Sequence, residues 1–304
     1  MAWRCLHLSS PARLSSERGS LLVETRGETG PSEIRVALED LLCIILDTRE
    51  VSLTGVLLDR LAEESVLVLG TDSRHMPSWI ALPWTAHYRQ AEVFDLQVGA
   101  ALPLRKQLWS AIVRRKLSGQ AANLRSVGDC SAAMVVLALT ARVRSGDPDN
   151  VEARAARRYW PAFMGSDFRR HDHDLRNAML DYGYAVLRAA LCRMLCAAGF
   201  VAQRGIHHRS VSNAFNLADD ILEPYRPIVD AIALQLYAKS PGQTELTIEH
   251  RRALASILQR DVFIMNATYS VSSAVEITVE SLKHSIKARN PGLLRFPTLD
   301  PDER

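Results

Sequence analysis

Pro103-Leu-Arg-Lys-Gln-Leu-Trp-Ser-Ala-Ile-Val-Arg-Arg-Lys-Leu-Ser-Gly-Gln-Ala-Ala-Asn-Leu124 marks where this chain turns helical. Leu104, Leu108, Ile112 and Leu117 recur at the spacing that aligns them on one helix face, while Arg105, Lys106, Arg114, Arg115 and Lys116 fall largely on others. From Thr85 onward the same period persists. Ser131–Arg144 predicts a buried helix, and Asp149 or Asn150 caps a helix running through Glu152 toward Trp160, with Pro161 near its end. Leu175–Ala198 is a long Ala/Leu-rich helix stopped by Gly199. Further helices are predicted at Val211–Leu222, Ile228–Lys239, Ile248–Met265 and Ser270–Ala288, before a short charged tail that should fray.

Upstream, the first 85 residues carry a different signal. Trp3–Leu8, Leu21–Thr25, Glu33–Ala37, Leu42–Leu46, Val66–Leu69 and Trp79–Leu82 are short apolar or alternating runs, which predict strands. Arg26-Gly-Glu-Thr-Gly-Pro and Asp72-Ser-Arg-His-Met-Pro supply turns between them. Ser52–Glu64 interrupts with helical spacing of Leu53, Val56, Leu57 and Leu61. The expected fold is α+β: a small N-terminal β-rich domain over residues 1–85, then a larger all-α domain over residues 86–304.

A chain of 304 residues that is 47% hydrophobic and 23% charged is globular and long enough for two cores. Its five cysteines include no CxxC pair and no zinc spacing, which points to a reducing compartment. The amino terminus lacks a signal peptide's apolar stretch, and the run Ala132–Ala141 is too short to span a bilayer. The expectation is a soluble cytoplasmic protein. Charge is unevenly spread: residues 1–85 hold 8 Lys and Arg against 12 Asp and Glu, a net of −4, and the remainder 29 against 22, a net of +7. The second domain is therefore the one suited to a polyanion.

Two segments carry candidate chemistry. Gly205-Ile-His-His, followed by Phe215-Asn-Leu-Ala-Asp-Asp-Ile-Leu-Glu-Pro-Tyr-Arg-Pro, sets His207 and His208 near Asp219, Asp220 and Glu223, beside Arg209 and Arg226. Imidazole nitrogen with carboxylate oxygen suits a divalent ion that acts on phosphate esters. Asp220 and Glu223 are three apart and share a helix face. Acids at a helix start also complement its dipole, so spacing alone leaves both roles open. Glu152, in Gly146-Asp-Pro-Asp-Asn-Val-Glu-Ala-Arg-Ala-Ala-Arg-Arg-Tyr-Trp, likewise reads first as a first-turn acid, with Arg154, Arg157 and Arg158 forming a basic face behind it. His171-Asp-His-Asp174 reads as a surface loop, and Gly183 between Tyr182 and Tyr184 as a close helix contact. No GxxxxGK[ST], GxGxxG or GxSxG motif is present, which argues against nucleotide-fuelled work, dinucleotide redox and a serine hydrolase.

Taken in order, Trp109-Ser-Ala-Ile-Val-Arg-Arg-Lys with Gln120-Ala, the Gly146–Trp160 segment, Tyr182-Gly-Tyr-Ala-Val-Leu-Arg-Ala, Gly205-Ile-His-His and Phe215–Asp230 resemble the universal CRISPR spacer-acquisition integrases, the Cas1 family, in its type II branch. The β-then-helical order agrees with that resemblance. Asp181 departs from it, since the family typically carries Asn before Tyr-Gly-Tyr.

The resemblance implies a metal-dependent DNA integrase and endonuclease of CRISPR adaptation. It would join the 3′-hydroxyl ends of a short double-stranded DNA fragment to the CRISPR repeat by transesterification. By motif match Glu152, His208 and Glu223 are the catalytic residues and the ligands of Mg²⁺ or Mn²⁺, with Asp220 as a supporting acid. Arg154, Arg157, Arg158, Arg188, Arg209 and Arg226 are the candidate phosphate contacts. The implied partners are double-stranded DNA, a second copy of the chain through the β domain, a dimer of the small ferredoxin-like CRISPR partner, and the type II effector nuclease. A metal-dependent structure-specific DNA nuclease, with water replacing the hydroxyl, and a non-catalytic DNA-binding scaffold of the same fold are the rival readings.

Overall fold

The computed structural model describes residues 4–27, 30–83 and 87–299, and the chain divides into two units, Met1–Ala86 and His87–Arg304. Outside the described residues lie Trp3 of the first expected strand, residues 28 and 29 of the Arg26–Pro31 turn, residues 84–86 around the expected domain boundary, and the tail from Asp300.

The first unit runs β1 (Arg4–Leu8), β2 (Ala12–Glu17), β3 (Ser20–Gly27), β4 (Gly30–Ala37), β5 (Leu41–Leu46), β6 (Val51–Leu53), α1 (Gly55–Glu63), β7 (Leu67–Thr71) and β8 (Pro77–Ala81). One sheet has the order β1-β5-β7-β8, parallel until the antiparallel edge strand β8. The other has the order β4-β3-β2-β6, an antiparallel meander with β6 parallel to β2. Every residue of β5 is buried, as its unbroken Leu-Leu-Cys-Ile-Ile-Leu run demands of a strand covered on both faces. Thr54 Oγ1 accepts from Leu57 N at 3.3 Å and starts α1, whose Leu57 and Leu61 enter the core with Leu14, Leu21 and Ile44. Strand β2 was not expected. Ala12-Arg-Leu-Ser-Ser-Glu offers only Ala12 and Leu14 to the core, too little alternation to register without its partners.

The second unit runs α2 (Gln90–Gly99), α3 (Leu102–Ser126), α4 (Cys130–Thr140), α5 (Val151–Met164), α6 (Leu175–Ala197), α7 (Asn216–Leu222), a 3-10 turn at Glu223–Tyr225, α8 (Arg226–Ala238), α9 (Ile248–Ala255), β9 (Asp261–Ile264), β10 (Ala267–Ser270) and α10 (Val271–Ala288). Helix α3 buries Leu104, Leu108, Ile112, Leu117, Ala121 and Leu124 and packs against α4, α5 and α8. Gly183 lets α6 and α8 approach, because a Cβ there would lie 2.4 Å from Val229 Cγ1. The α+β expectation holds, with three local corrections.

Helix α4 is not buried. Only Ala133 and Val136 of it are fully covered, while Met134, Val135 and Leu137 face outward, since an uncharged sequence does not reveal how many faces a helix has covered. The helix expected from Val211 begins instead at Asn216. Asn216 Nδ2 donates to the carbonyls of Gln203, Ser210 and Asn213, taking backbone acceptors away from any helix over that loop. Ile248–Met265 is not one helix. It leaves helical geometry at Arg260 and becomes the β9–β10 hairpin, turned by Met265 and Asn266 at φ of 51° and 62°. Pro161 lies in the last turn of α5, near its end as expected.

Candidate active site

Asp220, fully buried on α7, organises the loop that carries the two histidines. Its Oδ2 accepts from the backbone N–H of Ile206 at 2.5 Å and of His207 at 2.9 Å, and its Oδ1 from His208 N at 3.1 Å. Oδ1 also lies 2.7 Å from His208 Nδ1. A carboxylate can only accept, so Nδ1 carries the proton and Nε2 is the ring nitrogen left for other work. Gly205 permits this close turn, because a Cβ there would sit 2.4 Å from the His208 carbonyl oxygen and 2.8 Å from Asp220 Oδ2. The hydrogen bond to Asp220 raises the His208 pKa above its ordinary value, against the effect of burial. His208 lines a cleft of about 470 Å³ together with Arg204, Arg209, Ser212 and Asn213.

His207 does something else. Its ring stacks on Trp109 of α3 with centroids 4.1 Å apart and planes 4° from parallel, and burial lowers its pKa. Flat stacking commits one face of the imidazole to an apolar neighbour.

The carboxylates of Glu152 and Glu223 come together around one cation. Asp147 accepts from Val151 N and Glu152 N, and Asn150 from Ala153 N, which fixes the first turn of α5. Lys116 Nζ of α3 donates to Glu152 Oε1 and to Glu223 Oε2, each at 2.5 Å. Glu223 Oε1 accepts from Arg226 Nε at 2.9 Å. Burial alone would raise the Glu223 pKa, but Arg226 and Lys116 overcome it and hold it at about 2. The Arg226 guanidinium in turn stacks on Tyr184 at 4.5 Å. Tyr184 and Tyr159 both donate their hydroxyls to buried Asp230, and Asn123 Nδ2 donates to the Tyr159 oxygen. Burial pushes Asp230 up to about 6 against those two hydrogen bonds. A continuous polar chain thus runs from the helical core to the Glu223 carboxylate.

The donor set fits a hard divalent ion. Two carboxylate oxygens already lie around a single small cation, and an imidazole with a fixed tautomer is in electrostatic reach of Glu223. Among the described residues no group of three His, Cys, Asp or Glu side chains stands at metal-holding distance, and the Lys116 ammonium lies between the two glutamates. Asp220 supports His208 and the loop backbone with both oxygens. Asp219 accepts from Arg188 Nε and Asn213 Nδ2, both at 2.7 Å, and so anchors the loop to α6.

Of the six arginines expected to meet phosphate, Arg226 and Arg188 are engaged with Glu223 and Asp219. Arg154, Arg157, Arg158 and Arg209 are exposed. Asp181 forms an ion pair with Arg170 at 2.5 Å. The His171–Asp174 run lies between helices, with Asp174 accepting from Asn177 N to start α6. Lys116 was missed, since a lysine after two arginines on an amphipathic helix reads as solvated. One signal was available: 32 of the 37 basic residues are Arg, so the few lysines stand out.

The family model for CRISPR associated protein Cas1 matches residues 6–250. The chain belongs to the Cas1 family. It is 37% identical over 301 residues to the CRISPR-associated endonuclease Cas1 of Neisseria meningitidis serogroup C (strain 8013), covering 99% of this chain and 98% of that one. Among solved structures it resembles a casposase bound to integration product, with a TM-score of 0.78 and 20% identity over 95% of this chain and 92% of that one. It also resembles a chain of a Cas6-RT-Cas1–Cas2 complex, with a TM-score of 0.73 and 18% identity over 99% of this chain and 36% of that one. These two structural likenesses speak for a Cas1 fold alone.

Proposed function

We propose that this chain joins the 3′-hydroxyl ends of a short double-stranded DNA fragment to a CRISPR repeat, with Glu152, His208 and Glu223 holding Mg²⁺ or Mn²⁺. Membership of the Cas1 family makes it a DNA endonuclease/integrase of CRISPR adaptation. The observation that carries the site assignment is the convergence of Glu152 and Glu223 on one cation.

In the reaction the fragment's 3′-oxygen forms a new bond to a repeat phosphorus as the repeat's own P–O3′ bond breaks, and the hydroxyl proton is lost to solvent. Bond number is conserved, so no nucleotide fuel is needed. A divalent ion at this site supplies Lewis-acid stabilisation of the charge that develops on the phosphoryl oxygens. The chain's own residues do the rest. Asp220 fixes the His208 tautomer and ring, Arg226 holds Glu223 through Oε1 so that Oε2 faces the site, and Asp147 sets the α5 turn that presents Glu152. Orientation of this quality is worth about 7–11 kcal/mol of barrier in a well-ordered site. Exposed Arg154, Arg157, Arg158 and Arg209 surround these residues in sequence and supply phosphate contacts.

By the same reading, the chain works as a homodimer with a dimer of the small ferredoxin-like Cas2-type partner, and the type II effector nuclease takes part. Exposed Ile34, Val56, Leu58 and Trp79 of the first unit support protein contacts there. No helix among the described residues is long and apolar enough to cross a membrane.

The test is incubation of an end-labelled 3′-hydroxyl fragment with a repeat-bearing plasmid and Mn²⁺, with and without the Cas2-type partner. Label joined to plasmid at the repeat ends is the expected result. Shortened label without joining identifies a structure-specific nuclease, and unchanged label with bound DNA identifies a scaffold.

A further inference from the structure

Lys116 has an unusual position. Its ammonium lies at 2.5 Å from one oxygen of each carboxylate, and its side chain is only 12% exposed. With Glu152, Glu223 and Arg226 it forms a group whose formal charges already cancel. A divalent ion added to that group leaves an excess of two positive charges in a confined site, which is costly unless a cation leaves or anions arrive. Lys116 and the ion also contend for the same oxygens, Glu152 Oε1 and Glu223 Oε2.

We propose that Lys116 is a tethered placeholder: its ammonium holds the ion's position between Glu152 and Glu223 in the free protein and moves to a DNA phosphate as ion and DNA load together. This rests on the reading of Glu152, His208 and Glu223 as the metal site. The residue type suits the role. A lysine carries a compact charge on a flexible four-carbon stem and can swing between partners, whereas an arginine would lock its planar fork across the two carboxylates. The chain uses Arg at 32 of its 37 basic positions, and it has Lys here. The consequence is coupling: the free protein binds the ion weakly, DNA strengthens that binding, and by reciprocity the ion strengthens DNA binding by the same factor. The two carboxylates are kept neutralised between rounds, and the ion is recruited where phosphate is already present.

The experiment is Mn²⁺ titration followed by electron paramagnetic resonance, on the full chain. It is run alone and with a duplex whose 3′ ends are deoxy and cannot react. Lys116→Met is expected to bind Mn²⁺ at least about tenfold more tightly than wild type in the absence of DNA. The DNA-induced gain seen in wild type should shrink in that variant. Lys116→Arg is expected to bind Mn²⁺ more weakly than wild type. Thermal melting adds a second readout: metal-free Lys116→Met melts below wild type and is raised further by Mn²⁺ than wild type is. Equal or weaker Mn²⁺ binding by Lys116→Met overturns the placeholder role. Should that variant not fold, Lys116→Arg binding Mn²⁺ as tightly as wild type overturns it. Glu152→Gln separates the two levels. If it leaves Mn²⁺ affinity unchanged, the metal site itself is misassigned, whereas if it weakens binding while Lys116→Met changes nothing, only the role of Lys116 falls.

Discussion

Asp220 fixes the tautomer of His208 through Nδ1, and Trp109 stacks on the ring of His207. The two histidines are adjacent in sequence and alike in chemistry, so only their partners tell them apart. His208→Ala is expected to lower the joining rate by about 10²-fold or more, the scale of losing one catalytic group. His207→Ala, which removes a ring stacked on Trp109, should keep the rate within several-fold. Rates from single-turnover joining check this, and the reverse order of effects moves the ligand to His207. Motif match points to His208 and Glu223 as ligands because ligand types and their order are linear features of a sequence, an assignment these rates test for His208. Lys116 was not legible. Its role depends on Glu152, 36 positions away, and Glu223, 107 positions away, folding over it.

At the level of elements, the site depends on how closely the α6 and α8 helices pack, since Tyr184 on one and Arg226 on the other meet to hold Glu223. Gly183 sets that approach. Gly183→Ala is expected to cost about 1–3 kcal/mol of unfolding free energy in a denaturant titration, because the added methyl overlaps Val229. An unchanged midpoint shows that the helices have room to give. Long elements were the readable ones. The apolar repeat of α3 and the Ala/Leu run of α6 each persist over several turns, so no local interaction could override them. The errors fall where local side-chain bonding or a turn interrupts a short pattern. Asn216 unmakes the helix expected from Val211, and the left-handed Met265–Asn266 pair makes a hairpin where period alone suggested a helix. Pro224 follows the end of α7 and Pro227 the 3-10 turn, and each sits in the first turn of its own helical segment, where a missing N–H does no harm.

At the level of the whole molecule, charge governs both stability and DNA binding. Glu223 lies at about 2 in the folded protein against an ordinary 4.5, so the folded state binds fewer protons between those values. Its contribution to stability is whole above about 4.5 and is lost as pH falls toward 2. In metal-free buffer, the gap in unfolding free energy between wild type and Glu223→Gln should therefore close through that window, and a gap independent of pH contradicts the assignment. The basic second domain, net +7 over residues 86–304, should bind DNA with a steep salt dependence. Arg157→Ala, on the exposed face of α5, is expected to reduce the slope of log affinity against log salt by about one. An unchanged slope removes that face from the DNA path.

The most direct test is single-turnover joining of a labelled 3′-hydroxyl fragment to repeat DNA in Mn²⁺ by wild type, Glu152→Ala and Glu223→Ala, with DNA affinity measured alongside. The proposed site, in which Glu152, His208 and Glu223 hold one ion, predicts that both variants bind DNA within several-fold of wild type and form no joined product. Joined product from either variant at the wild-type rate contradicts that site.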